Sequence, residues 1–253
     1  MPHLVADLGN SRLKWGRLDE AGRLVDVRAL VFDDPCTWDD AWDDFCPCDP
    51  EELQWTVASV NRPVMARFRA FLERRGVGQT TFLTSASDVQ VRHALARPDS
   101  TGVDRALAVL AALAAHPVGG PGQVVCCGTA ITVETIDDHG IWRGGAIAAG
   151  LNMMARALGE RTDQLPQITP VSSPPPSGDS TRPAMEAGIY WGAVGIAREL
   201  LTRQAEESEG TPWIVFCGGD AVTIAAGLGD SRIEVAPDLV LEGLAILARG
   251  ARP

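Results

Sequence analysis

The stretch VVCCGTAITVETIDDHG, residues 124–140, has a counterpart near the start of the chain, LVADLGNSRLKWGRLDEAG, residues 4–22. Each begins as an apolar strand, turns at a glycine followed by a small polar residue, and returns as a second strand to an acidic turn closed by glycine. The two align at three positions, which are Asp7 with Cys126, Gly9 with Gly128 and Asn10 with Thr129. This alignment indicates an internal duplication.

The composition is that of an ordinary folded protein with an excess of acidic residues. The chain has 253 residues and 45% hydrophobic content, which is ample for a buried core. The formal net charge of −11 argues against nucleic acid or an anionic membrane surface as a partner, because a polyanion would be repelled. The opening residues have no signal-peptide pattern, and no run approaches the roughly 18 apolar residues of a membrane span, so we expect a cytoplasmic protein.

Six cysteines lie at irregular spacings in a chain that is large enough to fold without disulfides, so reduced thiols are expected. Cys46 and Cys48 lack a second pair at zinc-binding spacing, which makes a metal site there the less favoured interpretation. Cys127 is expected to be a strand residue that faces the core.

Beyond the two hairpins, apolar periodicity alternates strands with helices, which predicts an α/β protein. Strands are expected at residues 53–60, 80–83 and 213–216, and helices at 63–75, 104–116 and 238–249. Residues 33–52 are acidic and favour a solvated helix with one apolar stripe, and residues 170–179 are proline-rich and favour a surface loop. A break at residues 117–122 divides the chain into two predicted lobes, 1–116 and 117–253.

A long helix, or a broken pair of helices, is expected over residues 181–209. It carries Gly188, Gly192 and Gly195 on nearly one face. Such small residues permit close backbone approach, which would serve packing within the chain as easily as a dimer contact.

The first hairpin has the features of a phosphate loop. Asp7 ends its strand, where a carboxylate can hold a hydrated Mg²⁺, and Gly9 and Asn10 leave backbone N–H groups for phosphate oxygens. Lys14 on the returning strand would add a positive charge. The same pattern also suits a plain hairpin turn, but its recurrence at Thr129 favours the paired phosphate hairpins of a two-lobed kinase.

Two further motifs carry candidate chemistry. Gly218 and Gly219 would let an adenine or ribose lie against the backbone, although they also suit a tight turn with Asp220 as a helix N-cap. At the start of a predicted helix, Asp104 can accept a proton from a hydroxyl, and Arg105 can pair with a carboxylate or a phosphate. As a bare motif this pair also fits an N-cap with its neighbour.

Seven motifs in order resemble type III pantothenate kinase, the family that includes the Bvg accessory factor proteins. They are D-x-G-N-S-x-x-K-W at 7–15, P-x-x-x-G-x-D-R at 98–105, G-T-A-x-T at 128–132, G-G-x-I-x-x-G-L at 144–151, L-x-x-x-T-x-x-L-P at 158–166, F-x-G-G-D-A at 216–221 and D-L-V-L-E-G-L at 238–244. The resemblance implies a duplicated ribonuclease-H-like fold of the actin-like ATPase and of the acetate and sugar kinase superfamily. It implies two similar lobes with the active site between them, working as a homodimer.

The resemblance also implies roles for single residues. Asp104 would be the catalytic proton acceptor, with Asp7 near Mg²⁺. The ATP-binding residues would be Asp7, Leu8, Gly9, Asn10, Ser11, Arg12, Leu13, Lys14, Thr129, Gly218, Gly219 and Asp220. The pantothenate-binding residues would be Leu95, Gly102, Val103, Asp104, Arg105 and Thr181, with Arg105 on the substrate carboxylate.

Three positions depart from the family's pattern. Cys126 stands where an Asp usually holds the monovalent cation, K⁺ or NH₄⁺, and a neutral thiol is a poor ligand for it. Leu95 stands where a tyrosine commonly lines the substrate pocket, and Ala149 replaces a proline. The sequence therefore predicts an ATP-dependent pantothenate kinase, and leaves open a catalytically degenerate member that acts as a nucleotide-binding regulatory or accessory protein.

Overall fold

A computed structural model describes residues 2–31, 36–46 and 48–250 of the chain. The strands in this part are β1 (His3–Leu8), β2 (Leu13–Leu18), β3 (Leu24–Leu30), β4 (Gln54–Ser59), β5 (Gln79–Leu83), β6 (Gly122–Cys127), β7 (Ala130–Ile136), β8 (Trp142–Ala149), β9 (Trp213–Cys217) and β10 (Ile233–Val235). The helices are α1 (Cys36–Phe45), α2 (Arg62–Arg75), α3 (Val103–Ala115), α4 (Leu151–Arg161), α5 (Thr181–Ala205), α6 (Ala221–Leu228) and α7 (Leu239–Ala248).

The described strands form two sheets with the same topology. The first has the order β3-β2-β1-β4-β5, and the second, read in the matching direction, has the order β8-β7-β6-β9-β10. In both, the first three strands in sequence are antiparallel, and the last two run parallel to the central strand. The duplication predicted from the two hairpins is confirmed, and each sheet has the ribonuclease-H-like arrangement.

The chain divides into two compact units. The first comprises Met1–Val91, Ala96–Ala115 and Leu239–Pro253, and the second comprises Arg92–Leu95 and His116–Asp238. The lobe boundary between residues 116 and 117 stays a prediction.

One face of the first sheet is covered by an aromatic core. Trp15 on β2 contacts Trp55, Phe68 and Phe71, with ring centroids 5.4 to 6.2 Å apart. Edge-to-face and tilted ring pairs of this kind add stabilisation beyond the burial of their area. Helix α2, which supplies two of these rings, is capped by the side chain of Asn61 and ends at Gly76 in the left-handed conformation.

The opposite face of the first sheet is covered by α3 and α7, although α7 lies at the far end of the sequence. The two helices approach closely at Gly243, where a methyl group would collide with the backbone of Leu107. α3 is alanine-rich and its middle turns are fully buried. Its first turn is thereby fixed beside the end of β1.

In the second unit, α5 and α6 pack on one face of the sheet. Apolar residues of β6, β7 and β9, among them Val125, Cys127 and Phe216, contact Ile189 and Tyr190 of α5. Because side chains alternate along a strand, Cys126 and Cys217 project to the opposite face from this core. Cys127 is fully buried, as predicted.

Most predicted elements are present within a few residues of their expected limits. The helix expected over 33–52 is shorter, since α1 covers Cys36–Phe45 and a 3₁₀ turn begins at Pro50. Residues 33–35 and 47 of that prediction lie outside the described residues. The sequence has a proline at position 47, two residues after the end of α1. Because proline has no N–H group for a helical hydrogen bond, it accounts for the early end of this helix. Among the described residues, no helix has the length and apolar character needed to cross a membrane.

Candidate active site

The first hairpin places a carboxyl group and an ammonium group side by side. Asp7 on β1 is directly opposite Lys14 on β2 in antiparallel register, so both side chains project from the same face of the sheet. The turn between the strands is closed by a hydrogen bond from Gly9 N–H to the Arg12 carbonyl, 3.1 Å. The side chains of Leu8 and Leu13 are fully buried, so any contact of these two residues with a nucleotide would come from their backbone.

The environment of Asp7 raises its pKa to about 7. Burial is the main cause, the negative charge of Asp104 adds to it, and Lys14 opposes it. The structure thus brings together Asp7 and Asp104, which are far apart in the sequence. Two neighbouring carboxylates with incomplete charge compensation fit a hard divalent cation such as Mg²⁺.

Asp104 lies in the first turn of α3, where the helix dipole favours a negative charge. Its Oδ1 accepts a hydrogen bond from Arg105 N–H, 2.9 Å. The absence of a side chain at Gly102 provides the space for this carboxylate, since a methyl group on residue 102 would lie 2.5 Å from Oδ1. Val103 is fully buried, so only its backbone is available to a substrate.

The second hairpin forms a tight loop against the start of α4. Gly128 N–H donates to the Ala130 carbonyl, 3.0 Å, and Gly150 N–H donates to the Thr129 carbonyl, 3.1 Å. A methyl group on Gly150 would collide with the carbonyl oxygen of Gly128. Gly150 therefore lets α4 begin in contact with the loop that carries Thr129.

The loop after β9 packs against the end of β6, next to the second hairpin. Asp220 N–H donates to the Cys127 carbonyl, 3.1 Å, and Gly218 has φ +92°, a left-handed conformation that suits glycine. Asp220 is the N-cap of α6, but its side chain makes no capping hydrogen bond. The second unit thus brings together the predicted nucleotide residues Thr129, Gly218 and Asp220 at one edge of its sheet.

Cys126 occupies the position equivalent to Asp7, as the alignment predicted. It is opposite Thr132 on β7 and Cys217 on β9, and its Sγ is 3.0 Å from the Cys217 Sγ. The Thr132 hydroxyl is buried and has no hydrogen-bond partner in the described part of the chain. K⁺ is a hard cation that prefers oxygen ligands, and this pair of thiols offers soft sulfur instead, so the residues present do not fit a monovalent cation site at this position.

The remaining predicted substrate residues lie in the second unit. Leu95 is half-buried, and its side chain lies next to Gly144 on β8. Its N–H donates to His93 Nδ1, 3.3 Å. Thr181 is exposed in the first turn of α5.

Among the described residues, Cys46 and Cys48 belong to no group of three or more side chains that could bind a metal.

Two residues of the site were missed by the sequence reasoning. Gly150 was noted only as part of a motif, and its contact with the loop at Gly128 depends on how α4 meets the hairpin. Cys217 was placed just after the buried strand predicted over residues 213–216, and no role was assigned to it. Its position one residue before the Gly218-Gly219 pair was the available signal, because parallel strands of a duplicated sheet end at one edge.

Solved structures with the same architecture define the class of protein. The chain is 18% identical to a Campylobacter jejuni protein described as a Baf family transcriptional activator, with a TM-score of 0.60 and 98% of each chain covered. It is 14% identical to a Sinorhizobium meliloti protein described as a 2-dehydro-3-deoxygalactonokinase, with a TM-score of 0.59 and 98% of each chain covered. With its two matching sheets, the chain has the duplicated ribonuclease-H-like fold of the actin-like ATPases and sugar kinases.

Comparison of sequences places the chain within that class. The family model of type III pantothenate kinase matches residues 3–203. The type III pantothenate kinase of Alkalilimnicola ehrlichii is 35% identical over 98% of this chain and 99% of its own length, and that of Nitrosococcus oceani is 32% identical over 97% and 93%. The chain belongs to the type III pantothenate kinase family.

Proposed function

We propose that this protein transfers the γ-phosphoryl group of ATP to pantothenate, giving 4′-phosphopantothenate and ADP in the first step of coenzyme A biosynthesis. The observation that carries the proposal is the Asp7–Asp104 pair in the first unit of a chain that belongs to the type III pantothenate kinase family. Phosphoryl transfer depends mainly on positioning and on neutralising charge, and the neighbouring carboxylates of the first unit support this proposal.

Asp104 is the residue we assign as proton acceptor. It is half-buried in the first turn of a helix whose middle turns are fully buried, so its position is fixed by the core of the first unit. The hydrogen bond from Arg105 N–H to its Oδ1 orients the carboxylate, which would accept the proton of a substrate hydroxyl. The Arg105 side chain would then pair with the carboxylate of pantothenate.

Asp7 is the residue we assign to Mg²⁺. When bound, the metal ion would neutralise phosphate charge, and its positive field would keep Asp7 ionised at neutral pH. Lys14, opposite Asp7, would hold a phosphate oxygen through its ammonium group. The backbone N–H groups of the turn at residues 9–12 would contribute to the same contact.

The two adjoining loops of the second unit are assigned to the nucleotide. Thr129 would contact ATP through its hydroxyl and N–H groups, and the Gly218-Gly219 turn would accept the flat adenosine moiety. The hydrogen bond from Asp220 N–H to the Cys127 carbonyl holds these two loops together.

We also propose that the protein acts as a homodimer in the cytoplasm, where ATP is available. Supporting observations in the second unit are the exposed Ile147 on edge strand β8 and the open space around Gly188 and Gly192 on α5. Light scattering coupled to size-exclusion chromatography would give a mass near twice the 26.9 kDa of one chain if this is right.

The proposed reaction is tested by its product. Purified protein incubated with ATP, Mg²⁺ and pantothenate should yield phosphopantothenate, detected by mass spectrometry as pantothenate plus one phosphoryl group. An incubation with a pantothenate analogue that lacks the primary hydroxyl should yield none. Nucleotide binding without any phosphorylated product would contradict the proposal.

A further inference from the structure

Two thiols face each other across neighbouring strands of the second sheet. Cys126 on β6 and Cys217 on β9 are direct partners in parallel register, and their Sγ atoms are 3.0 Å apart. Opposed residues of adjacent strands have Cα atoms about 4.8 Å apart, which is within the range of about 4.4–6.8 Å found in disulfides. We propose that Cys126 and Cys217 form a reversible disulfide, a modification site that joins the ends of β6 and β9.

The two sulfur atoms differ in their access to solvent. Cys126 is partly exposed, whereas Cys217 is 1% exposed. A dissolved oxidant therefore reaches Cys126 first, and Cys217 acts as the resolving thiol. This is the arrangement of an accessible thiol next to a resolving cysteine that is typical of oxidation-sensitive sites.

The oxidant class is a peroxide, and hydrogen peroxide gives a balanced reaction. The Cys126 thiolate attacks one peroxide oxygen, the O–O bond breaks, and a sulfenic acid forms as hydroxide leaves and takes up the thiol proton to become water. The Cys217 sulfur then attacks the Cys126 sulfur, the S–O bond breaks, and the oxygen leaves as a second water with the Cys217 proton. Two thiols and one peroxide give one disulfide and two waters, and a dithiol reductant reverses the change.

The neighbouring Cys127 does not compete for this bond. Its side chain projects to the other face of β6, into the core with α5 and α6, and is fully buried. Burial raises the pKa of its thiol, and the neighbouring Cys126 and Asp220 add to the shift, so it stays protonated and unreactive. Cys127 is therefore the matched control for Cys126.

The disulfide would act on the loops that we assign to the nucleotide, and this consequence rests on the proposed function. A bond of about 2.05 Å requires the sulfurs to approach by roughly 1 Å, and it would fix the spacing of the strand ends that lead to Thr129 and Gly218 at a value different from that of the reduced protein. A displacement of about 1 Å in a binding site can cost about 100-fold in rate. We expect oxidation to lower kcat/KM for ATP by about 10- to 100-fold.

Peptide mapping tests the disulfide without reference to activity. The native protein is treated with hydrogen peroxide, its free thiols are alkylated, and it is digested with trypsin. Cys126 lies in peptide 106–143 and Cys217 in peptide 204–232, whereas the cysteines of the first unit all lie in peptide 29–67. We expect a cross-linked species of 106–143 with 204–232 that dithiothreitol removes. The Cys127→Ala variant should still give it, and the Cys126→Ala variant should not.

The outcomes separate this inference from the proposed function. Alkylation or over-oxidation of Cys126 without the cross-link would overturn the inference, as would a cross-link that survives in Cys126→Ala and is lost in Cys127→Ala. Should Cys126→Ala fail to fold, the map of the Cys127→Ala variant decides alone, because Cys126 is then the only cysteine in peptide 106–143. A cross-link that leaves kcat/KM for ATP unchanged would overturn the effect on the nucleotide loops. Absence of kinase activity before oxidation would count only against the proposed function.

Discussion

Burial raises the pKa of Asp7 at the end of β1, and the negative charge of Asp104 at the start of α3 raises it further. The interaction requires their carboxyl groups to lie close together within the first unit, on the sheet face that α3 and α7 cover. A protein gains no stability from placing two carboxylates together, because one of them must hold a proton or find a cation. The pair is therefore better explained by catalysis than by folding.

Replacing Asp104 by Asn should abolish turnover and leave nucleotide binding nearly intact. The amide keeps the shape of the side chain but cannot accept the hydroxyl proton, and the loss of a general base typically costs about 10²–10⁴-fold in rate. The measurement is kcat by steady-state kinetics beside the Kd for ATP by calorimetry. A variant that keeps most of the wild-type kcat would remove Asp104 from this role.

Replacing Asp7 by Asn should stabilise the protein at alkaline pH in the absence of Mg²⁺. The pKa of Asp7 is about 7 in the folded chain and 3.8 ordinarily, so the folded state binds the proton more tightly. The resulting penalty is absent below about pH 4, grows between about pH 4 and 7 and is complete above pH 7, where it is on the order of a few kcal/mol.

Urea unfolding of the Asp7→Asn variant and the wild type between pH 4 and pH 8.5, with EDTA present, measures this difference. Asp19→Asn is the control of opposite sign, because backbone and side-chain hydrogen bonds from Arg23 lower the pKa of Asp19. A stability difference at Asp7 that does not change with pH would contradict the pKa assignment.

Replacing Cys126 by Asp should lower the K⁺ concentration needed for half-maximal activity, or create a K⁺ requirement where none existed. The carboxylate would supply the charged oxygen ligand that the thiol lacks, and the unpartnered Thr132 hydroxyl lies directly opposite. Rates are measured against K⁺ with ionic strength held by a bulky cation. Identical curves for both proteins, saturating at low K⁺, would show that this position does not hold the ion.

Replacing Gly150 by Ala should raise the KM for ATP by about tenfold or more. The backbone of Gly150 has φ −79° and ψ 173°, which alanine adopts freely, so the effect is purely steric. The added methyl group would push on the carbonyl oxygen of Gly128 and shift the loop that carries Thr129. Asn152→Ala is the control, because Asn152 is exposed in the first turn of the same helix and the change removes side-chain volume there instead of adding it. If the KM for ATP is the same in Gly150→Ala and in the control variant, the contact between residue 150 and the Gly128 carbonyl does not affect ATP binding.

The duplication was predictable because the two hairpins carry their pattern in short, local segments, whereas the ribonuclease-H-like fold was implied by the family resemblance. The strand pair around Gly9 and its counterpart around Gly128 needed only apolar alternation and a glycine turn to be recognised. Strand β3 and edge strand β8 were not predicted. Half-exposed edge strands such as β3 bury little apolar surface and leave a weak periodicity.

The long-range contacts of the candidate site were beyond sequence reasoning. The motifs identified Asp7 and Asp104 separately, but their electrostatic interaction depends on how α3 packs across the first sheet. The packing of α7 on β1 joins the two ends of the chain, and no local pattern specifies such a contact. The pairing of Cys126 with Cys217 likewise follows from strand order, which becomes visible only in three dimensions.

Pantothenate-dependent release of ADP is the most direct test of the proposed function. ADP is measured by a coupled assay with ATP and Mg²⁺ present, with and without pantothenate, for the wild type and for Asp104→Asn. We predict that ADP release by the wild type requires pantothenate and saturates with it, and that the variant releases ADP at least about 100-fold more slowly. ADP release that is absent, or that pantothenate does not increase, from a folded protein that binds ATP would contradict the account and indicate a nucleotide-binding accessory protein instead.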